Sequence, residues 1–445
     1  MLALALTLAE AGSAAAQAGP LDSLVHEAVR ANRSLQERRL ADAQSEAAVK
    51  EAAALRLPTV SFDARYSRTA GARNLGDLVN PAYAALNQLT GSNTFPTDID
   101  ARLPLTQETR VRVAQPIFRP AIRHNVQLRR SLRGVQGAEL AAATRQLAAE
   151  VQSAYLRHAR AARVVEVYAS TLPLLAENLR VAERLVSAGR STPDAVFRAR
   201  AELGEATQQR DEAALQRRAA ARAVNYLLDR PLETAVAVAD DSAFHFPLAL
   251  SLSEARERAR VGRDELRGAD QGVRAAEAQG RIARAGRLPA VSLAVDYGIQ
   301  GNRYELSRDA DFAIASLVLE WTPWDGGQTG ARRAQAALET QRARTRRADA
   351  ERRIDLEVTQ AYEAAAVSLA AIATARDRVA AARRTFDLVA RKYAEGAAPQ
   401  IEYIDARGAR TRAELNLVLT RYDHALRYVE LERAAALRTF DPEAP

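Results

Sequence analysis

The chain has 445 residues, of which 48% are hydrophobic, 27% charged and only 5% aromatic, with a net charge of +8. That balance excludes a disordered chain, and the composition, rich in Ala, Leu, Arg and Glu, is a helix former's. Cysteine is absent, which excludes disulfides, thiolate zinc sites, iron–sulfur clusters, a cysteine nucleophile and a lipidated N-terminal cysteine. The positive charge is almost all arginine, since Lys50 and Lys392 are the only lysines. The arginines alternate with Glu and Asp along the chain, a solvated helix surface rather than a nucleic-acid patch.

Leu2–Ala9 is a short apolar run followed by small residues that end in Ala16-Gln17-Ala18. This is the pattern of an export signal over residues 1–18 with an A-x-A cleavage site. Beyond it no apolar run approaches the ~18 residues of a membrane-spanning helix.

The rest of the chain is one unit written twice. Arg56-Leu57-Pro58-Thr59-Val60-Ser61 returns as Arg287-Leu288-Pro289-Ala290-Val291-Ser292, and Glu150-Val151-x-x-Ala154-Tyr155 as Glu357-Val358-x-x-Ala361-Tyr362. The first pair lies 231 positions apart and the second 207, because the first copy holds a longer loop between its strands. This predicts a first repeat over 19–228, a connector over 229–250, a second repeat over 251–440 and a tail over 441–445.

Each repeat opens with a helical stretch, 21–57 or 251–288, that a proline ends. Strict alternation follows. Val60, Phe62, Ala64 and Tyr66 oppose Ser61, Asp63 and Arg65, and Val291, Leu293, Val295 and Tyr297 oppose Ser292 and Asp296, the signature of strands. A polar loop (70–108, or 298–309) leads to a returning strand, in which Val111, Val113 and Ile117 oppose Arg110 and Arg112.

Long helical runs over 121–188 and 328–395 come next, with Pro173 marking a kink or break in the first. Steps of four and three from Ile354 pick out Val358, Ala361, Ala365, Ser368, Ile372, Ala375, Val379, Ala382, Phe386, Val389 and Tyr393. The same positions less 207 run from Leu147 to Val186 and are apolar except His158. A sustained 3.5-residue repeat predicts coiled-coil packing. The runs end at Gly189 and Gly396, natural C-caps, and return helices are predicted over 193–228 and 399–438.

The helices have their own seams, so the apolar strand face needs another solvent, and lipid fits. Apolar-out, polar-in strands of this length match a transmembrane barrel. Four strands cannot close one, since sheet edges cannot be left in lipid and about eight strands is the usual minimum. Two chains would supply 8 strands and three would supply 12. Trp321 and Trp324, at the junction of the last strand and the helix, suit an interfacial aromatic belt; ordinary core packing is the alternative.

These residues resemble the TolC-like outer-membrane efflux protein family over nearly the whole chain. The marks are the duplicated strand–strand–helix–helix unit, Leu57-Pro58 and Leu288-Pro289 before strands, Gln115-Pro116-Ile117-Phe118 after one, and Pro323-Trp324-Asp325-Gly326-Gly327. The resemblance implies a mainly α fold with a small membrane β-barrel contribution: a homotrimer whose 12-strand barrel crosses the outer membrane above a periplasmic α-helical barrel. It implies a passive exit duct for efflux or type I secretion, opened at its periplasmic tip by an adaptor and an inner-membrane pump. At that tip it places Glu402 and Asp405 as an entrance ring, with solvated helix surface as the alternative, and the turns at Gly189 and Gly396; from their position alone, Arg190, Asp194, Arg198 and Arg407 are expected to supply charged closing contacts.

No catalytic constellation is visible. His26, His124, His158, His245 and His424 are scattered, without metal-ligand spacing, and His158 reads as a hydrogen-bonded core residue. Gly326-Gly327-Gln328-Thr329-Gly330 lacks the lysine of a phosphate loop. The sequence therefore predicts no enzyme, no cofactor, no bound metal and no nucleic-acid partner. The competing reading is a periplasmic coiled-coil adaptor without a barrel.

Overall fold

The computed structural model describes residues 20–68, 74–100, 106–240, 244, 246–301 and 310–440. The expected signal segment 1–18 and the tail 441–445 lie outside the described residues. The elements run α1 (Pro20–Ala31), α2 (Arg33–Ala54), β1 (Thr59–Tyr66), α3 (Gly76–Thr90), β2 (Gln107–Phe118), α4 (Pro120–Ser187), α5 (Pro193–Leu227), α6 (Leu252–Gly262), α7 (Asp264–Ala285), β3 (Ala290–Gly301), β4 (Asp311–Glu320), α8 (Gln328–Ala394) and α9 (Gln400–Ala434). Apart from α3, the second series repeats the first. Contacts divide the chain into a strand-bearing unit, Ala43–Gly134 with Gln271–Thr345, and a helical unit made of the rest.

In the strand-bearing unit the four strands form one antiparallel sheet in chain order, β1-β2-β3-β4. Strand β3 continues to Gly301, past the loop start expected at Gly298. Gly298 is in the strand because it faces Arg110, where a Cβ would collide with the backbone of Thr109 and Arg110; the glycine marks a close approach, not a turn. The loop expected over 70–108 holds helix α3. Its Asn80 exchanges two hydrogen bonds with the backbone of Ile99, and Asn87 does the same with Phe95. These side chains fix the returning segment, and Tyr83 meets the Phe95 ring at 5.5 Å.

In the helical unit the opening stretch of each repeat is two helices rather than one. The joints are Asn32 and Arg263, which are equivalent positions, 231 apart. Asn32 caps α2 by accepting from the Leu35 N–H and donates to the Leu227 carbonyl at 2.9 Å. Arg263 donates to the Ala434 carbonyl at 3.0 Å. Both carbonyls are the final helical residues of equivalent return helices. Each joint thus satisfies acceptors that a helix end leaves open.

Every seam position from Leu147 to Val186 and from Ile354 to Tyr393 is buried or half-buried. Helix α4 passes through Pro173 without ending. Val25, Val29, Val151, Tyr155, Val224 and Leu228 form the core of the first repeat, and Ala255, Ala259, Ile354, Val358 and Leu431 its counterpart in the second. A third cluster joins Leu156 of α4 to Tyr422, Ala425 and Val429 of α9. The connector lies on it. The Tyr155 hydroxyl donates to the Ala237 carbonyl and accepts from the Ala239 N–H. His158 lies 3.1 Å from the carbonyls of Arg217 and Val236, and His424 sits between Ser368 and the Phe246 carbonyl. Both imidazoles are occupied in packing.

The α6–α7 joint also carries a buried ion pair. Arg145 meets Asp264 at 2.5 Å, with side chains 9% and 1% exposed, and a second guanidinium nitrogen donates to the Gly262 carbonyl. Burial pulls the Arg145 pKa below the usual arginine range. Removing the carboxylate strands a charge in the interior. Asp264→Ala is expected to destabilise the helical unit by about 3–5 kcal/mol, read as a lowered thermal midpoint by circular dichroism at 222 nm.

Candidate functional site

Two surfaces hold the residues singled out in the sequence: the sheet and the two turns that end α4 and α8. On the sheet, β3 alternates strictly. Leu293, Val295 and Tyr297 are exposed, while Ala294, Asp296 and Gly298 are buried. The register places Val113 and Val111 beside Val295 and Tyr297, and Val60 and Phe62 beyond them. Val60, Phe62 and Tyr66 are 69–73% exposed. The arrangement inverts that of a sheet in water, where the apolar face is the covered one.

The opposite face is a ladder of ion pairs. Arg112 makes two bonds to Asp296, at 2.9 and 3.1 Å, and the Asp296 side chain is 7% exposed. Arg65 meets Glu108 at 2.7 Å and Arg110 meets Asp63 at 3.7 Å. Cross-strand register produces these pairs directly, since Asp63 faces Arg110, Arg65 faces Glu108 and Arg112 faces Asp296. Three cations meet three anions, so this face is locally neutral. Trp321 and Trp324 are both exposed beyond β4, and the Trp321 indole donates to the Arg287 carbonyl at 3.2 Å.

The turns are also duplicated. Gly189 (φ 67°) and Gly396 (φ 74°) take the left-handed conformation. The N–H of the next residue reaches back to the carbonyl of Leu185 or Lys392, both at 2.8 Å. Beyond the first turn, Asp194 accepts a hydrogen bond from the Thr192 hydroxyl and lies 3.4 Å from Arg198. The hydroxyl, and then the guanidinium, hold its carboxyl below the usual range. Arg190 is exposed, as are Glu402 and Asp405 at the start of α9.

Arg407 is placed differently. It is buried, its side chain 6% exposed, in an ion pair with Glu202 of α5. Its equivalent, Arg200, is 65% exposed beside Glu183. Glu202 is the partner that sequence reasoning missed, because 205 positions separate the pair. Nearby, Tyr403 stacks on Tyr393 at 4.9 Å and meets Phe386. Among the described residues, no group of three or more His, Asp or Glu is arranged to hold a metal ion.

Residues 255–437 match the family model described as outer membrane efflux protein. No curated protein sequence gives a significant match. Among solved structures, a membrane protein from Pseudomonas aeruginosa is similar with a TM-score of 0.78 at 19% identity, covering 93% of this chain and 92% of that one. CusC, whose structures concern folding and transmembrane channel formation, gives 0.77 at 18%, covering 93% and 91%. The Campylobacter jejuni CmeC outer membrane channel gives 0.76 at 15%, covering 93% and 85%. The fold is therefore that of outer-membrane channels.

The contrast between the equivalent arginines is measurable. Glu202→Ala leaves the Arg407 guanidinium buried without its carboxylate, a loss on the order of 3 kcal/mol. Amide exchange in residues 193–207 and 400–411 is expected to quicken on the order of a hundredfold. Glu183→Ala, beside exposed Arg200, is worth about 0–1 kcal/mol and should leave exchange within about fivefold.

Proposed function

We propose that this chain, which carries an outer membrane efflux protein domain in its second repeat and the fold of outer-membrane channels throughout, is the outer-membrane exit duct of a tripartite efflux or type I secretion system. The family is one of channel proteins, not of enzymes. The duct is passive: it spans the outer membrane, reaches into the periplasm, and opens when a periplasmic adaptor and an inner-membrane pump engage it.

The observation that carries this reading is the inverted sheet. Its apolar face is exposed, its charged face is internally paired, and β1 and β4 each pair on one side only. An apolar face of that extent, with two open edges, is untenable in water. Lipid accepts the face, provided the edges close. Three chains close them with 12 strands, and the ion-pair ladders then line the lumen. Among the described residues no helix is long and apolar enough to cross a membrane. A coiled-coil adaptor has no use for such a sheet.

The remaining assignments follow from the same assembly. Trp321 and Trp324 sit at the membrane interface. Glu402 and Asp405, exposed beside the Gly396 turn, put six carboxylates around the entrance of a trimer, where they attract polyvalent cations. Arg190, Asp194 and Arg198 supply charged contacts near the Gly189 turn. Arg407 acts from inside the protomer, holding α9 to α5 through Glu202.

Light scattering on the detergent-extracted particle tests the duct. A protein mass of about three times the 48.3 kDa chain, less the cleaved signal segments, is expected, and a water-soluble monomer or dimer would sink the reading. In single-channel recordings, Glu402→Ala with Asp405→Ala is expected to relieve block by trivalent cations; unchanged block would remove the ring.

A further inference from the structure

The chain's positive charge is concentrated in one place. The helical segments of the strand-bearing unit, 43–56, 119–134, 271–287 and 328–345, hold fifteen Lys and Arg against four Asp and Glu. That excess of eleven exceeds the +8 of the whole chain. The remainder of the protein is slightly acidic, so the band is a local feature and not a property of overall composition.

Within the band, α7 and α8 enclose a groove of about 710 Å³. Four arginines line it: Arg281, Arg284, Arg333 and Arg344. The single carboxylate in the lining, Glu277, is taken by Arg344 at 2.8 Å. Arg281, Arg284 and Arg333 have no ion-pair partner among the described residues, and the Arg281 Nε–H is buried without an acceptor. A buried, unmatched donor is unfavourable, and three unpaired guanidiniums along one groove repel one another. The groove is kept open by small residues. A Cβ at Gly280 or Gly330 would meet no atom within 4 Å, and Ala334 and Ala337 line the remainder.

We propose that this groove is a phosphate-binding site, taking the phosphate group of an anionic headgroup or solute. Arginine's planar fork matches phosphate oxygens in pairs, and the orphaned Nε–H of Arg281 gains its acceptor. The groove begins close to the end of the sheet. Arg284 lies five residues before Pro289, or about 8 Å at 1.5 Å per residue, and Trp321 is bonded to the Arg287 carbonyl on the same segment. Basic pockets at that depth suit anionic lipid headgroups, and a soluble phosphate ester has the same chemistry.

The full-length protein, purified in a non-ionic detergent, tests this independently of the duct reading. Dihexanoyl phosphatidylglycerol, dihexanoyl phosphatidylcholine and glycerol 3-phosphate would each be titrated, with adducts counted by native mass spectrometry. The anionic lipid is expected to bind in preference to the zwitterionic one. Comparable binding of glycerol 3-phosphate would identify a soluble ester as ligand; binding of the lipid alone would identify a headgroup. The Arg281→Gln, Arg284→Gln, Arg333→Gln triple variant is expected to bind at least tenfold more weakly. Gly280→Met, which fills the groove and keeps every charge, should weaken binding similarly, with its thermal midpoint confirming the fold. Arg123→Gln, Arg129→Gln, Arg130→Gln on α4 removes equal charge from exposed positions and should change binding less than twofold. Equal loss in that control, undiminished binding in Gly280→Met, or no binding of either phosphate compound by the wild type would overturn the proposal.

Discussion

The strand-bearing unit is built on a sheet that is unfinished on its own. Strands β1 to β3 present valines, leucines and aromatics on one face and pair their charges on the other, β4 is apolar on both faces, and β1 and β4 each pair on one side only. Backbone N–H and C=O groups at those edges demand partners when water is absent. Among the described residues no other segment supplies them, so in the proposed duct the requirement falls on further copies. In that duct, oligomerisation is a condition of the strands having lipid as their solvent.

The duplication shows how one backbone plan accommodates two chemistries. The helix joints at Asn32 and Arg263 occupy equivalent places and reach equivalent carbonyls, one with a short amide and the other with a long guanidinium. Arginine's length lets the second joint take part in an ion network with Glu265 and Glu357, whereas the first remains a neutral cap. The arginines near the turns diverge likewise, Arg407 buried and Arg200 in solvent. Backbone geometry is preserved where it closes helices, and side chains differ where partners differ.

Much of this was legible before any coordinates. Period-two alternation marks β1, β2 and β3, while β4 alternates poorly, and the four-three stepping from Ile354 marks the buried seam through both long helices. Those signals are dense, with one informative residue every two to four positions. The joints at Asn32 and Arg263 are hard to read because each interrupts a helix for one residue; the first has no Gly or Pro beside it, and Gly262 beside the second is itself helical. Helix α3 was hidden by Pro81 and by asparagines that read as loop formers, while their actual work is to bond Ile99 and Phe95. Of the tip residues, the glycine turns could be read from sequence, but the Glu202–Arg407 pair depends on two helices meeting from opposite repeats. Periodicity describes the face a residue occupies and says nothing of which distant element meets that face.

The connector that joins the repeats is held by Tyr155 and His158 from the first and by His424 from the second. Leu156 and Val429 meet in a shared cluster beneath it. The repeats are therefore joined by side-chain packing as well as by peptide. The covalent link fixes one copy of each diverged half beside the other, so the buried Arg407 and the exposed Arg200 always come as a matched pair.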